Sequence, residues 1–311
     1  MASVVVPCLD AEATLERCLQ SLLDQKTTTS FEVIVIDNGS RDRSVSIALG
    51  RVERHPGRLR LVHESGRGAA RARNLGLREA AGRFVLFTDS DCVADPDWLD
   101  GLVAALHDPE VLLAGGEIVG DPDQVAIAAR YASANGLLSQ RHTLRHPRAP
   151  FFQTANLGVR RCDAIEIGGF DRDLSVAGED ADFCWRLAAR NTGRELLLVP
   201  RARVRHVHRT TTGGLFRQFR GYGRGDVALA RRHGGRRGPE ALKLAADFLR
   251  LAGLPLLVLA GLGRAARTGD PLPIAAPWLR VVQAAGRRLG QAEALIRSSR
   301  RPPGPEPWIC R

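Results

Sequence analysis

The chain contains the stretch Arg83-Phe-Val-Leu-Phe-Thr-Asp89-Ser-Asp91-Cys92, in which an apolar run ends at two aspartates one residue apart. The continuous run 84–87 is typical of a central strand of a parallel sheet that is covered on both faces. The carboxyl end of such a strand points at the crevice where open α/β sheets bind ligands. Two carboxylates there repel each other unless a cation lies between them. The pattern therefore favours a Mg²⁺ or Mn²⁺ ion that carries a diphosphate, although Asp-x-Asp alone also occurs in solvated turns and helix caps.

The segments around this strand alternate between strand-like and helix-like patterns. The predicted strands are 3–6, 31–36, 59–62, 84–87 and 111–119, and the predicted helices between them are 11–23, 45–52, 66–81 and 96–106. This order predicts a parallel sheet with right-handed crossovers.

The second half of the chain follows a less regular pattern. It predicts a helix at 124–138, a basic loop at 141–148, a helix at 179–190, strands at 196–200 and 202–208, and a basic amphipathic helix at 214–232. The apolar stretch 249–262 falls well short of the ~20 residues that span a bilayer, so we expect an interfacial or re-entrant helix there.

Positive charge is concentrated after residue 200. From Arg201 to the end there are 22 Lys or Arg against 6 Asp or Glu, a net charge of +16, whereas the first 200 residues carry −5. This asymmetry predicts an anionic partner, with nucleic acid, an anionic membrane surface and a lipid phosphate as candidates. A solvated, arginine-rich surface is the alternative.

Several classes of protein lack support in the sequence. The six cysteines are scattered without a Cys-x-x-Cys pair, so no zinc site is predicted. The turn Pro7-Cys-Leu-Asp10 after the first strand lacks the Gly-x-Gly-x-x-Gly of dinucleotide-binding dehydrogenases. The chain starts directly with the strand-like run Val4-Val-Val6 and shows no signal-peptide pattern, which predicts a cytosolic protein.

Four segments, taken in order, resemble the family 2 glycosyltransferases, which are inverting enzymes with the GT-A fold. They are Val4-Val-Val-Pro7 through Leu22, then Val33-Ile-Val-Ile-Asp37-Asn-Gly-Ser-Arg-Asp42, then 68–91 with the core Ala70-Arg-Ala-Arg73-Asn74-x-Gly76, and Gly168-Gly-Phe-Asp171 through Gly178-Glu179-Asp180-x-Asp182-Phe-x-Trp185-Arg186-Leu187. The resemblance covers about residues 1–230. No Gln-x-x-Arg-Trp follows Asp182, which argues against the processive branch that includes cellulose and chitin synthases.

The resemblance implies an α/β fold in which a Rossmann-like, mostly parallel sheet is flanked by helices and followed by a basic helical tail. It implies a GT-A domain over 1–235, divided into a nucleotide-binding half at 1–120 and an acceptor-side half at 121–235. We expect 236–299 to form a helical, membrane-associated tail and 300–311 to be a Pro-rich disordered end.

The same resemblance implies a set of residues on the donor side. Those expected to contact the nucleotide sugar are Pro7, Asp37, Gly68, Arg73, Asp89 and Ser90. Asp37 suits the N3–H donor of a uracil or thymine, or it caps the next helix. The planar guanidinium of Arg73 suits a diphosphate, or it is solvated. Asp89 is expected at the ribose or in the water shell of the metal, and Asp91 is expected to bind the metal.

Glu179 and Asp180 match the family's acidic pair at the start of the acceptor-side helix. A single displacement at the anomeric carbon needs a base on the face opposite the nucleotide, and Asp180 is the expected base. We expect the helix N-terminus to lower its pKa, which makes it a weak base that takes the proton late. The alternative is that these residues only cap the helix.

Two histidines follow the acidic pair. Related transferases supply a third metal ligand at about this place, for which we expect His206, with His208 as the alternative. In a strand the two side chains point to the same face. Half-exposed histidines without a ligand are the other interpretation.

The predicted function is metal-dependent, inverting transfer of a sugar from a nucleotide-diphosphate sugar to the hydroxyl of a glycan or lipid-linked acceptor of the cell envelope. Mn²⁺ or Mg²⁺ is the expected cation, and the inner face of the membrane is the expected peripheral location. Nucleic acid is not expected as a partner. One rival is a nucleotidyltransferase of similar fold, which would have a Gly-rich loop with Lys after the first strand. The other is a catalytically silent sugar- or nucleic-acid-binding protein.

Overall fold

The computed structural model describes residues 1–145, 150–174, 176–234, 247 and 251–296. The strands are β1 (Ala2–Cys8), β2 (Phe31–Asp37), β3 (Leu59–His63), β4 (Phe84–Thr88), β5 (Cys92–Ala94), β6 (Val111–Gly120), β7 (Asn156–Arg160) and β8 (Glu195–His206). The helices are α1 (Leu15–Leu23), α2 (Ser44–Arg54), α3 (Ala69–Glu79), α4 (Trp98–His107), α5 (Ile127–Ala134), α6 (Gln140–Leu144), α7 (Arg161–Glu166), α8 (Glu179–Arg190), α9 (Thr212–Arg232), α10 (Leu254–Thr268) and α11 (Leu272–Ile296).

The described strands form one curled sheet in the order β3-β2-β1-β4-β7-β6-β8-β5. β1 pairs in parallel with β2 and β4, and β2 pairs in parallel with β3, because a helix returns the chain to the same end of the sheet after each strand. β7 lies antiparallel between β4 and β6, and β5 lies antiparallel to β8. The predicted α/β class is confirmed.

Apolar cores cover both faces of the sheet. Along β1, Val4 and Val6 belong to one core and Val5 to the other, as alternation along a strand requires. The carboxyl ends of β1, β2 and β4 consequently open at one edge of the sheet, and the candidate site lies at that edge.

Three local predictions were wrong. The predicted loop 141–148 begins inside α6, and its residues 146–149 lie outside the described part of the chain. Of the predicted helix 124–138, only the part from Ile127 to Ala134 is helical, and it forms α5. The two predicted strands at 196–200 and 202–208 form one strand, β8, whose pairing with β6 is irregular opposite the segment between Gly116 and Ile118, so Pro200 falls in a bulge.

The C-terminal helices pack on the body of the protein. α11 lies against α9 so closely that a Cβ added at Gly290 would overlap the Arg220 carbonyl oxygen, and one added at Gly223 would overlap the Arg287 carbonyl oxygen.

The predicted boundary at 235 and the predicted disordered end at 300–311 both fall outside the described residues. Of the helices that are described, none combines the length and the hydrophobicity that a membrane span requires.

Candidate active site

The two aspartates after β4 face different partners. Asp89 Oδ1 accepts a hydrogen bond from Arg73 Nη2 at 3.0 Å. Asp91 Oδ1 lies 3.3 Å from His206 Nε2. Ser90 lies between the two aspartates and is partly exposed. The two aspartates therefore have different neighbours: Asp89 pairs with Arg73, and Asp91 lies next to His206.

The Asp91 side of the site has the composition of a metal site. Antiparallel pairing of β5 with β8 sets Cys92 opposite His206, and one potential ligand atom from each of Asp91, Cys92 and His206 lies within 4.8 Å of the others. Asp91 Oδ1 is a buried atom without a hydrogen-bond partner, which is costly unless a ligand satisfies it. Burial raises the pKa of Cys92 well above its ordinary value, so its thiol stays protonated and is a poor ligand.

The geometry of Asp91 and His206 fits a small divalent ion. Bonds of about 2.1 Å in octahedral geometry put neighbouring ligand atoms about 3 Å apart, close to the 3.3 Å observed between Asp91 Oδ1 and His206 Nε2. A carboxylate oxygen and an imidazole nitrogen are suitable donors for Mn²⁺. The residues present therefore fit the implied cation.

His208 lies beyond the end of β8, yet its ring centroid is 4.8 Å from that of His206. The Gln124 amide holds its backbone, since Gln124 Nε2 donates to the His208 carbonyl at 2.8 Å and Gln124 Oε1 accepts from the His208 amide at 2.7 Å. Its Nε2 atom is buried without a hydrogen-bond partner. Burial, together with the charge of His206, lowers the pKa of His208 to about 4, so its ring is neutral at pH 7. No pattern in the sequence indicates the role of Gln124.

Arg73 connects the two halves of the site. Its guanidinium is buried and donates to Glu179 Oε1 at 2.8 Å as well as to Asp89. Burial alone would lower the pKa of Arg73, but the charges of Asp89, Glu179 and Asp180 outweigh it and raise the pKa. The side chain predicted to meet the diphosphate is thus held between two carboxylates, and its Nε atom has no partner.

The prediction that the pKa of Asp180 is lowered was wrong. Burial, followed by the charge of Glu179, raises it to about 7, although Arg73 and the amide of Ala181 act in the opposite direction. Asp180 Oδ1 accepts a local bond in the first turn of α8, from the Ala181 amide at 2.9 Å. Desolvation by the surrounding protein therefore outweighs the helix N-terminus.

Asp182, two residues further along α8, is fully buried and structural. It accepts from Arg186 Nε at 2.8 Å and lies 2.9 Å from His233 Nε2 at the end of α9. These contacts tie the first turn of α8 to α9. His233 was not among the predicted site residues, because nothing in the local sequence marks it as a partner of Asp182.

Asp37, the last residue of β2 before a turn, is buried and ionised. Its carboxylate accepts from the Ser40 amide at 3.0 Å and lies 2.9 Å from His63 Nδ1. Burial would raise the pKa of Asp37, but hydrogen bonds from Ser40, His63 and Gly39 outweigh it and lower the pKa. Asp37 does not cap α2, which begins at Ser44.

Two further predicted residues lie near this turn. Pro7 pairs with Ile36 in the register of β1 and β2. The Gly68 amide donates to Asn38 Oδ1 at 2.7 Å, and Gly68 has a φ of +125°, a backbone conformation that glycine tolerates best. Asn38, which also donates to the Gly66 carbonyl at 2.6 Å, fixes the start of α3 and was missed as a site residue.

The chain is similar to known proteins over most of its length. The model of the family described as glycosyl transferase family 2 matches residues 3–167. A pre-mycofactocin glycosyltransferase of Mycobacterium tuberculosis is 31% identical over 309 residues, which cover 93% of this chain and 63% of the relative. Glycosyltransferase AglE of Haloferax volcanii is 28% identical over 229 residues, 73% of either protein.

A solved structure similar to this one is the mannosyltransferase PcManGT from Pyrobaculum calidifontis, in complex with GDP-Man and Mn²⁺. The two structures match with a TM-score of 0.63 at 24% sequence identity, over 96% of this chain and 88% of that chain. This similarity shows a common fold. The chain belongs to glycosyl transferase family 2. It spans 63% of the length of its mycobacterial relative.

Proposed function

We propose that this protein transfers a glycosyl group from a nucleotide-diphosphate sugar to an acceptor hydroxyl, with inversion at the anomeric carbon and with a divalent cation. The main support is the continuous set of contacts from His206 and Asp91, through Asp89 and Arg73, to Glu179, next to Asp180. Candidate metal ligands and a candidate base thus meet at one edge of the sheet.

On the donor side, Asp91 and His206 would hold Mn²⁺ or Mg²⁺, with His208 as the alternative nitrogen ligand. A bound cation would supply positive charge against the departing diphosphate. The similar mannosyltransferase was solved with GDP-Man and Mn²⁺, which supports that combination. Asp89 would contact the ribose or the water shell of the metal while it orients Arg73.

The other donor contacts would come from the carboxyl ends of β1, β2 and β4 and from the turn before α3. Asp37 would accept from the base of the nucleotide, since its carboxylate is ionised. Pro7, Gly68 and Ser90 would line the nucleotide.

On the acceptor side, Asp180 would act as the general base. The acceptor oxygen attacks the anomeric carbon, the bond from that carbon to the diphosphate oxygen breaks, and the hydroxyl proton goes to the Asp180 carboxylate. A pKa of about 7 suits this task, because the group is half ionised at neutral pH and still basic enough to take a proton. The charge of Glu179 helps to keep that pKa high, and Glu179 is held in place by its ion pair with Arg73 at 2.8 Å.

The acceptor that we propose is a glycan or lipid-linked molecule of the cell envelope, used at the inner face of the membrane. The net charge of +16 after residue 200 supports an anionic surface as the place of work.

Calorimetric titration of UDP and of GDP, each with and without Mn²⁺, tests the donor site. We expect at least one nucleotide to bind in a Mn²⁺-dependent manner, and Asp91→Ala to weaken that binding by about tenfold or more. Asp123→Ala is the matched control, because the Asp123 side chain is 79% exposed and outside the site. Unchanged Mn²⁺-dependent affinity in a folded Asp91→Ala protein would show that the metal assignment is wrong.

A further inference from the structure

One side of α10 exposes a group of large apolar side chains. Leu256 is 73% exposed and Leu259 is 62% exposed, and Leu262 is exposed as well. Gly261, on the opposite side of the helix, packs against Pro273 and Ile274 of α11. The leucines therefore lie on the face of α10 that points away from the protein. A contiguous apolar patch of this kind marks an interaction surface.

The arginines of the basic helix α9 are not available for a partner in the same way. Arg220 and Arg224 both pair with Glu293 of α11, and Arg232 pairs with Asp171 at 2.5 Å. These contacts use three charges of α9 inside the protein. The charge that α9 can offer to a surface is therefore reduced to Arg217 and Arg231, which are exposed.

The charge around the leucines favours one class of partner. Residues 251–269 contain no Asp or Glu, and Arg264 and Arg267 are exposed in the last turns of α10. Within the described part of the chain, no carboxylate pairs with either arginine. Trp278, 51% exposed, lies one turn beyond the Ile274 contact on α11. Leucine, tryptophan and arginine together are typical of helices that lie in the interface of an anionic bilayer.

The length of α10 agrees with binding in the plane of the membrane. Its 15 residues extend about 22 Å, less than the ~30 Å hydrocarbon core of a bilayer. We infer that α10 is the membrane-docking element: its leucine face inserts at the surface of an anionic bilayer, and Arg264 and Arg267 contact the headgroups. The inference rests on the proposed function only in that a lipid-linked acceptor would be presented at this surface.

Vesicle flotation of the full chain tests the assignment. One set of vesicles contains phosphatidylcholine alone, and the other contains equal parts of phosphatidylcholine and phosphatidylglycerol. We expect the protein to float with the anionic vesicles, and the double variant Leu256→Glu/Leu259→Glu to bind them at least about tenfold more weakly. Leu49→Glu is the matched control, because Leu49 is a 48% exposed helical leucine on α2.

The arginines and the tryptophan provide two further measurements. Arg264→Gln/Arg267→Gln should weaken binding to the anionic vesicles and leave binding to the neutral vesicles unchanged. Trp278 fluorescence should shift to shorter wavelength on binding, and Trp278→Phe should abolish the shift. Salt should weaken binding only in part, because apolar insertion is not screened.

Either of two results would overturn the inference. One is equal flotation of the wild type and Leu256→Glu/Leu259→Glu. The other is absence of wild-type flotation together with a dimer that the same double variant converts to a monomer, which would make the face an interface between copies. Mn²⁺-dependent nucleotide binding, measured in each variant, separates this outcome from failure of the proposed chemistry.

Discussion

Asp180→Asn is expected to change turnover and stability in opposite directions. Asn keeps the size of the side chain and its ability to accept a bond from the Ala181 amide, but it cannot take the proton of an acceptor hydroxyl. We expect transfer to fall by the ~10²- to 10⁴-fold typical of a lost general base, with donor binding unchanged. In the wild type, the rate should fall about tenfold per pH unit below about pH 7, because only the ionised carboxylate accepts the proton.

The effect on stability follows from the same carboxyl group. The pKa of Asp180 is about 7 in the folded protein against an ordinary value of 3.8, so the folded state binds more protons than the unfolded state between these values. The free energy of unfolding therefore falls as the pH rises through that window, by at most about 4 kcal/mol. Asp180→Asn removes this penalty. It should be more stable than the wild type at pH 8, and the difference should vanish below pH 4.

Urea unfolding followed by circular dichroism at both pH values measures the stability, and a donor-consumption assay measures the rate. Asp123→Asn, a change of the same chemistry at an exposed position, should leave both unchanged. Wild-type turnover in Asp180→Asn would remove Asp180 from the role of base. No gain in stability at pH 8 would contradict the burial that raises its pKa.

Two other predictions concern the neighbours of the site. Because the charge of Glu179 raises the pKa of Asp180, Glu179→Gln should move the acid limb of the pH–rate profile to lower pH, and a shift to higher pH would contradict this coupling. Because Gln124 holds the backbone of His208, Gln124→Ala should weaken Mn²⁺ binding, measured by electron paramagnetic resonance of the free ion, by about tenfold. Wild-type Mn²⁺ affinity in that variant would exclude a positioning role.

Much of the fold was predictable because its signals are local. The apolar runs of β1, β2 and β4 and the helical spacing between them gave the parallel half of the sheet, and α8 has the predicted bounds, Glu179–Arg190. β7 was not predicted, because it is five residues long, contains a glycine and owes its place to antiparallel pairing with β4 and β6. Such non-local pairing leaves little trace in a short segment.

The residue types of the site were predictable from the sequence, but the partners of these residues and the pKa of Asp180 were not. The two-residue spacing of Asp89 and Asp91 suggested a shared role, but only the tertiary structure directs one to Arg73 and the other to His206. The pKa of Asp180 was predicted in the wrong direction, because the helix N-terminus is visible in the sequence and the surrounding burial is not. The local sequence likewise does not show that Arg220 and Arg224 of α9 pair with Glu293, which is about 70 residues away.

The most direct measurement is the consumption of a panel of nucleotide-diphosphate sugars by the wild type, with Mn²⁺ and with a chelator, in the presence of an envelope lipid extract as acceptor. The proposed function predicts release of nucleoside diphosphate from at least one donor with Mn²⁺, its loss with the chelator, and its loss in Asp91→Ala. If no donor is consumed, and the protein instead releases pyrophosphate from a nucleoside triphosphate and a sugar phosphate, the protein is a nucleotidyltransferase and the proposal of sugar transfer is wrong.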